Sequence, residues 1–182
     1  MSGPGAHVGP GDHDVAWRDS GWRWLPLTVL AIVLDQASKR WIEHHYDLFE
    51  TQVITPQLDI VRAHNTGAAF SFLADAGGWQ RWLFTALALG VGVAIFVWLR
   101  GINARKQVYL AAGLALILGG ALGNVFGRIE YGYVIDFIQV HWHNAYFPAF
   151  NVADSAITLG AMLLLFDAWR EWRQGAGSGK SA

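Results

Sequence analysis

The sequence predicts an all-α membrane protein with four transmembrane helices and a small β-element formed by its two outward-facing loops. Hydrophobic residues make up 53% of the 182 residues and charged residues 15%, against about 25% charged in an average soluble domain. Four apolar stretches each approach the ~20 residues that a helix needs to cross the hydrocarbon core. Most of the ten tryptophans lie at the ends of these stretches, where amphipathic rings meet lipid headgroups.

The composition also excludes several classes of function. The formal net charge is −1, so the chain lacks the basic footprint of a nucleic-acid-binding protein and we expect no nucleic-acid partner. It contains no cysteine, which excludes a disulfide framework, a thiol nucleophile and a cysteine-bound zinc. The sequence holds no HExxH, GxSxG or Walker-type motif, and we expect neither a cofactor nor a metal.

Residues 22–174 are predicted to form the membrane domain, between two polar tails. Residues 1–21 are rich in Gly, Pro, His and Asp, and we expect a disordered N-terminal tail. Residues 175–182, GAGSGKSA, predict a flexible C-terminal tail. The four predicted spans cover about residues 24–42, 79–99, 108–126 and 154–170.

The distribution of Lys and Arg predicts the orientation of the spans. Basic residues cluster in the short loop between the second and third spans and after the fourth span, whereas the longer loops hold mostly acids. The positive-inside rule therefore places both termini in the cytoplasm. The longer loops, about residues 43–78 and 127–153, then face outward. Their segments VITPQLDIVRAHNTGAAFSF and YVIDFIQVHWH are rich in β-branched and aromatic residues, which predicts short strands.

Four polar side chains in or next to the predicted spans need a reason to be there, because polar groups at membrane depth are costly. Asp35 and Lys39 lie four residues apart on one helix face, where they either neutralise each other or face a substrate. Asn124 and Arg128 share a face at the outward end of the third span. Arg128 can extend to the interface, whereas the amide of Asn124 requires hydrogen-bond partners. The glycines in GGALGN favour close helix packing.

Two aspartates near the second outward loop have opposite predicted surroundings. Asp136 shares one face of a strand with apolar side chains, which disfavours its charged form. Asp154 lies in the first turn of the last helix, which Asn151 can cap, and the helix dipole favours a negative charge there. Taken alone, Asp154 is typical of a capping box. If the two carboxyl groups meet, one holds a proton while the other stays charged, and such a pair can activate water.

His141 and His143 flank Trp142 and would point to one side of a strand. Such a pair can bind a metal, although histidines at a membrane interface are the commoner case. We therefore assign no metal site to them.

Five blocks of the sequence stand out in order: LDQASK, NTGAAFSFL, GGALGN, YVIDFI and FNVADSAI. They resemble the signature motifs of lipoprotein signal peptidase, or signal peptidase II, and the similarity extends over about residues 24–172. The resemblance implies a multi-pass aspartic protease of the bacterial inner membrane, without a cofactor and with its active site near the periplasmic side. Its partners would be membrane lipid and diacylglyceryl-modified prolipoproteins, cut just before the lipidated cysteine. We expect a monomer.

The resemblance also implies roles for individual residues. Asp136 and Asp154 would form the catalytic pair. Their predicted surroundings add the hypothesis that Asp154 removes a proton from water, while Asp136 protonates the leaving amine or polarises the carbonyl. The substrate-binding or supporting residues would be Asp35, Lys39, Asn65, Gly67, Asn124, Arg128 and Asn151.

One position departs from the family pattern. In GNVFGR, Gly127 occupies the place of an acid that would hold Arg128. Its loss would free the guanidinium to move, and a glycine at a helix end can act as a C-cap that reshapes the following turn. Because the catalytic pair is intact, we expect activity to be retained or weakened. Two alternatives stay open: an inactive homologue that binds lipoprotein precursors, and a small membrane transport or binding module.

Overall fold

The computed structural model describes residues 19–67 and 78–178. Helix α3 packs against each of the other three long helices and forms the centre of the bundle. The helices are α1 (Leu25–His45), α2 (Trp79–Gly101), α3 (Val108–Glu130) and α4 (Val152–Ser178).

The two longer loops form one antiparallel sheet, as the sequence predicts. Strand β2 pairs with β3 so that Ala63 lies opposite Asp136 and Asn65 lies opposite Val134. This pairing brings two distant parts of the chain to one edge of the helix bundle. In sheet order, the strands are β1 (Thr51–Thr55), β2 (Leu58–Asn65), β3 (Val134–Trp142) and β4 (Ala145–Tyr146).

Three of the described helices are long and apolar enough to cross a membrane, namely Trp79–Gly101, Val108–Glu130 and Val152–Gln174. Helix α1 has 21 residues, but its second half carries several ionisable side chains. The mostly helical fold with a small sheet is therefore confirmed, whereas the fourth membrane span stays a prediction.

The inner ends of both predicted tails belong to the described fold. Ser20 is buried and pairs with Asn103, and a 3₁₀ helix occupies Gly21–Trp24. Residues 19–21 thus pack on the bundle, because the loop after α2 offers them backbone partners. Helix α4 continues to Ser178, since no proline interrupts it and a helix propagates easily from turns already formed. The rest of both predicted tails lies outside the described residues.

The helices approach closely where α3 carries glycine. A Cβ atom added at Gly119 would lie 2.8 Å from Cβ of Ala31 in α1. A Cβ atom at Gly120 would collide with the backbone oxygen of Ala153 in α4. The packing interpretation of GGALGN is therefore confirmed. Buried apolar side chains fill the space between α2 and α3, including Ile95, Leu99, Leu114 and Leu118.

Candidate active site

One hydrogen-bonded cluster of polar side chains joins α1, α3, the start of α4 and the sheet. It contains seven of the nine predicted site residues, and Gly67 and Arg128 border it. Most of its members are buried, so their polar atoms depend on one another rather than on water. The members are Asp35, Lys39, Asn65, Asn124, Asp136, Asn151 and Asp154.

Asp136 is held in β3 by two amides. Asn65 Nδ2 donates a hydrogen bond of 2.9 Å to its Oδ2, and Asn151 Nδ2 donates one of 2.6 Å to its Oδ1. Burial raises the pKa of the Asp136 carboxyl from 3.8 to about 6. The hydrogen bond from Asn65 opposes this rise in pKa because it favours the charged form, while the negative charge of Asp154 adds to it. The structure thus agrees with the predicted penalty on the charged form.

Asp154 forms the capping box that its position predicts. Its backbone N–H donates to Asn151 Oδ1 at 3.0 Å, and its Oδ2 accepts from the Asn151 backbone N–H at 3.2 Å. These reciprocal bonds satisfy amide groups that the first turn of α4 would otherwise leave unpaired. The other oxygen, Oδ1, accepts a bond of 2.8 Å from Asn124 Nδ2. One carboxyl group therefore both caps α4 and joins the cluster.

Two amides connect the predicted acids. Asn151 Nδ2 donates to Asp136 and also, at 3.2 Å, to Asn124 Oδ1. The Asn124 amide then donates to Asp154. One hydrogen-bonded path between the two carboxyl groups therefore runs through both side-chain amides, and a shorter one runs through Asn151 alone, whose backbone N–H donates to Asp154 Oδ2. The structure thus brings together residues that the sequence places in separate elements.

Asp35 and Lys39 form a buried ion pair. Lys39 Nζ lies 2.7 Å from Asp35 Oδ2, and the two side chains are 4% and 0% exposed. This burial favours mutual neutralisation over contact with a substrate. Both side chains also form hydrogen bonds outside the ion pair. Lys39 Nζ donates to Asn124 Oδ1 at 2.9 Å. Asp35 Oδ1 accepts from the backbone N–H of Ala153 in the first turn of α4.

Sequence reasoning missed Gln36. Its Nε2 donates to Asp35 Oδ2 at 2.9 Å and to the backbone oxygen of Gly123 at 3.0 Å, which ties α1 to α3. Its position directly after Asp35 in LDQASK could have identified it as a member of the cluster. A Cβ atom at Gly123 would lie 2.7 Å from Asp35 Oδ2, so this glycine leaves the space that the carboxylate fills.

Gly67 and Arg128 border the cluster in different ways. Gly67 has φ +92°, and its N–H donates to Asn65 Oδ1 at 2.8 Å, which orients that amide. Arg128 Nη1 donates to the backbone oxygen of Asn124 at 3.3 Å, and the guanidinium lies 5.7 Å from the ring centre of Phe84. Its buried Nε has no hydrogen-bond partner in the described part of the chain.

Gly127 is not the predicted C-cap. Helix α3 continues past it, and its carbonyl accepts the N–H of Tyr131 at 2.9 Å. The residue with the left-handed conformation is Gly132, at φ +84°, because the chain reverses there rather than five residues earlier. Gly127 instead allows the carbonyl oxygen of Tyr133 to approach, since an added Cβ would lie 3.0 Å from that oxygen.

The histidines of the sheet lie apart from the cluster. His141 Nε2 is 3.4 Å from Asp59 Oδ2, and its ring stacks on Tyr146. Within residues 19–67 and 78–178, no group of three or more His, Cys, Asp or Glu is placed to hold a metal ion.

Comparison with known proteins finds similarity over most of the chain. Residues 27–170 match the family model described as signal peptidase (SPase) II. A lipoprotein signal peptidase from Pseudomonas fluorescens is 53% identical over 154 residues, which cover 84% of this chain and 90% of that protein. One from Shewanella pealeana is 48% identical over 153 residues, covering 84% and 89%. A bacterial membrane enzyme solved at 2.3 Å superposes with a TM-score of 0.71 at 26% identity, over 82% of this chain and 88% of that one.

Proposed function

Since this chain belongs to the signal peptidase II family of lipoprotein-processing proteases, we propose that it cuts by an aspartic mechanism. Its substrates would be diacylglyceryl-modified prolipoproteins, and the cut would fall just before the lipidated cysteine. The observation that carries the proposal is the two-amide connection between Asp136 and Asp154. Two carboxyl groups in one buried cluster, in different surroundings, can supply an acid and a base for peptide hydrolysis.

In the proposed reaction, Asp154 is the base. Its carboxylate is stabilised by Asn124 Nδ2 and by the Asn151 backbone N–H at the start of α4, where the helix dipole favours an anion. It removes a proton from water, and the water oxygen bonds to the scissile carbonyl carbon. The new negative charge on the carbonyl oxygen is stabilised by the protonated acid beside it.

Asp136 is the acid. Because burial raises the pKa of its carboxyl to about 6, a protonated share persists near neutral pH. A lipid-bearing peptide that covers the site would exclude water and increase that share. When the carbon–nitrogen bond breaks, Asp136 gives its proton to the leaving amine. The proton that Asp154 took from water then passes to Asp136, which restores the starting protonation state of the pair.

The same proposal makes α1 a fourth membrane span. Its polar residues Asp35 and Lys39 are buried against the other helices, so they do not meet lipid. Its opposite face is apolar, because Val29, Leu30, Val33 and Leu34 are each more than half exposed. Such a face fits acyl chains, including those of the substrate.

Both termini would lie in the cytoplasm and the active site near the periplasmic surface. The cluster is complete within one chain, so the proposed reaction would need no second copy, and we propose a monomer.

A cleavage assay tests the proposal. Purified protein in detergent is given a diacylglyceryl-modified prolipoprotein, and product is read as a gel shift. Asp136→Asn and Asp154→Asn should each lose about 10²- to 10⁴-fold in rate, the usual share of a general acid or base. Asp47→Asn, an exposed residue outside the cluster, is the matched control and should keep full activity. Full activity in Asp136→Asn, or solute flux without cleavage in proteoliposomes, would contradict the proposal.

A further inference from the structure

The side-chain amide of Asn124 lies between a cation and a carboxylate. Its Oδ1 accepts a hydrogen bond of 2.9 Å from Lys39 Nζ, and its Nδ2 donates one of 2.8 Å to Asp154 Oδ1. The Oδ1 atom also accepts from Asn151 at 3.2 Å, but that amide makes a shorter bond of 2.6 Å to Asp136. Lys39 is therefore the stronger partner of the Asn124 oxygen.

This arrangement matters because an amide can turn over. Its oxygen and nitrogen ends have nearly the same size, so either end of Asn124 fits beside Asp154. An ammonium group only donates and a carboxylate only accepts. In the turned-over amide, oxygen would face the carboxylate oxygen of Asp154 and the NH₂ would face the Lys39 ammonium. Both contacts would be lost, and Asp154 would face a repulsive dipole.

As a refinement that rests on the function proposed above, we propose that Lys39 is a positioning residue for the catalytic pair. Its ammonium holds the Asn124 amide with the NH₂ towards Asp154, which keeps that carboxylate hydrogen-bonded and charged before water attacks. The Lys39 side chain is 4% exposed, so it acts through Asn124 and does not touch the substrate. Asp35 holds the ammonium in place at 2.7 Å.

A simpler role for Lys39 would be to neutralise the buried charge of Asp35. The two roles separate in variants that remove both charges together. Asp35→Asn/Lys39→Gln leaves an NH₂ group at position 39 that can donate to Asn124, whereas Asp35→Asn/Lys39→Met leaves no donor there. In both variants an oxygen at position 35 can still accept the Ala153 N–H, so the start of α4 keeps its partner.

We expect the variant with Lys39→Gln to keep most of the wild-type kcat. The variant with Lys39→Met should lose about 10- to 100-fold in kcat, the range for a lost hydrogen bond to a charged group, with KM unchanged. Both variants should melt at the same temperature in detergent. Equal kcat values in the two variants, at any level, would overturn the positioning role.

A double-mutant cycle with Asn124→Leu gives a second test. If Lys39 acts through Asn124, the variants Asp35→Asn/Lys39→Met and Asp35→Asn/Lys39→Gln should have the same kcat once Asn124→Leu is added to both. A remaining difference in kcat between them, with equal melting temperatures, would overturn the proposal. Asp154→Asn is the reference throughout. If it stays active, the proposed function itself fails; if it is inactive while the cycle is additive, only the positioning role fails.

Discussion

Asp136 and Asp154 are both aspartates, but their carboxyl groups lie in different surroundings. The first is buried in a strand with an amide on each oxygen, and the second caps the first turn of a helix. The sequence already distinguishes these surroundings. Asp136 lies in an apolar strand, whereas Asp154 follows Asn151 by three positions at the start of a helix. At the scale of residues, the chemistry of the site thus follows from local structure, and three predictions belong here.

The pH dependence of cleavage should respond to Asn65. Its hydrogen bond favours the charged form of Asp136, so Asn65→Leu should raise the pKa of that carboxyl further. Asp136 then keeps its proton to higher pH, and the alkaline limb of kcat/KM should move to higher pH. The profile is measured beside Asn144→Leu, an exposed asparagine outside the cluster, which should leave the limb unchanged. A shift to lower pH in Asn65→Leu would contradict the assignment of Asp136 as the acid.

The pH dependence of thermal stability should also reflect the raised pKa of the buried Asp136 carboxyl. The pKa of Asp136 is higher in the folded protein than its ordinary value, so the folded state binds this proton more tightly than the unfolded chain does. The resulting stabilisation is present below pH 3.8 and is lost as the pH rises through about 6. The melting temperature of Asp136→Asn, relative to the wild type, should therefore increase between pH 4 and pH 7. A difference that stays constant over this range would contradict the raised pKa.

Variants at Gly127 distinguish an active enzyme from an inactive homologue. Gly127→Asp would offer Arg128 an acid, but its Cβ would press on the Tyr133 carbonyl oxygen. Gly127→Ala adds the same Cβ without the carboxylate and is the matched control. We expect the wild type to cleave, and Gly127→Asp to exceed Gly127→Ala in kcat/KM because only it can hold the guanidinium. An inactive wild type with an active Gly127→Asp would identify an inactive homologue.

At the scale of elements, the start of α4 depends on two other parts of the molecule. Asn151, which directly precedes α4, caps the helix locally. Asp35, in the distant helix α1, accepts the N–H of Ala153 in the first turn of α4. The first contact is predictable, because Asn three residues before Asp is a capping-box pattern. The second is not predictable from local sequence, because it depends on how α1 packs against α3 and on the space left by Gly123.

Variants at Asn151 should separate capping from catalysis. Asn151→Ala removes the cap and the bond to Asp136, and should cost about 1 kcal/mol of stability together with most of the activity. Asn151→Ser restores a cap oxygen but has no NH₂ that donates to Asp136. Its melting temperature should return towards that of the wild type, while cleavage stays low. Recovery of cleavage in Asn151→Ser would mean that Asn151 serves only the helix.

At the scale of the whole molecule, apolar stretches predict the helices and the β-branched and aromatic residues of the long loops predict the sheet, but neither predicts which polar groups meet. Hydropathy alone does not select α1 as a span, and the second half of this helix carries Asp35, Lys39 and further ionisable side chains. The bond from Lys39 to Asn124 and the pairing of Ala63 with Asp136 join residues far apart in sequence. Such contacts follow from packing, which no local pattern encodes.

The membrane orientation gives a prediction at this scale. The chain has no cysteine, so single cysteines can be introduced without background labelling. Asn144→Cys, in the turn between β3 and β4, should react with a membrane-impermeant maleimide added to spheroplasts. Arg105→Cys, in the loop between α2 and α3, should react only after lysis, because the positive-inside rule places it in the cytoplasm. The reverse pattern would contradict the orientation and the periplasmic location of the site.

The central claim is that Asp136 and Asp154 act as one catalytic unit, and single-turnover cleavage of a diacylglyceryl-modified prolipoprotein tests it most directly. The rate is compared for the wild type, Asp136→Asn, Asp154→Asn and the variant carrying both substitutions. Residues that act as a unit give losses far from additive. We therefore expect the double variant to be no slower than the slower single variant. Losses that multiply, or a single variant that cleaves at the wild-type rate, would contradict a shared role for the two aspartates.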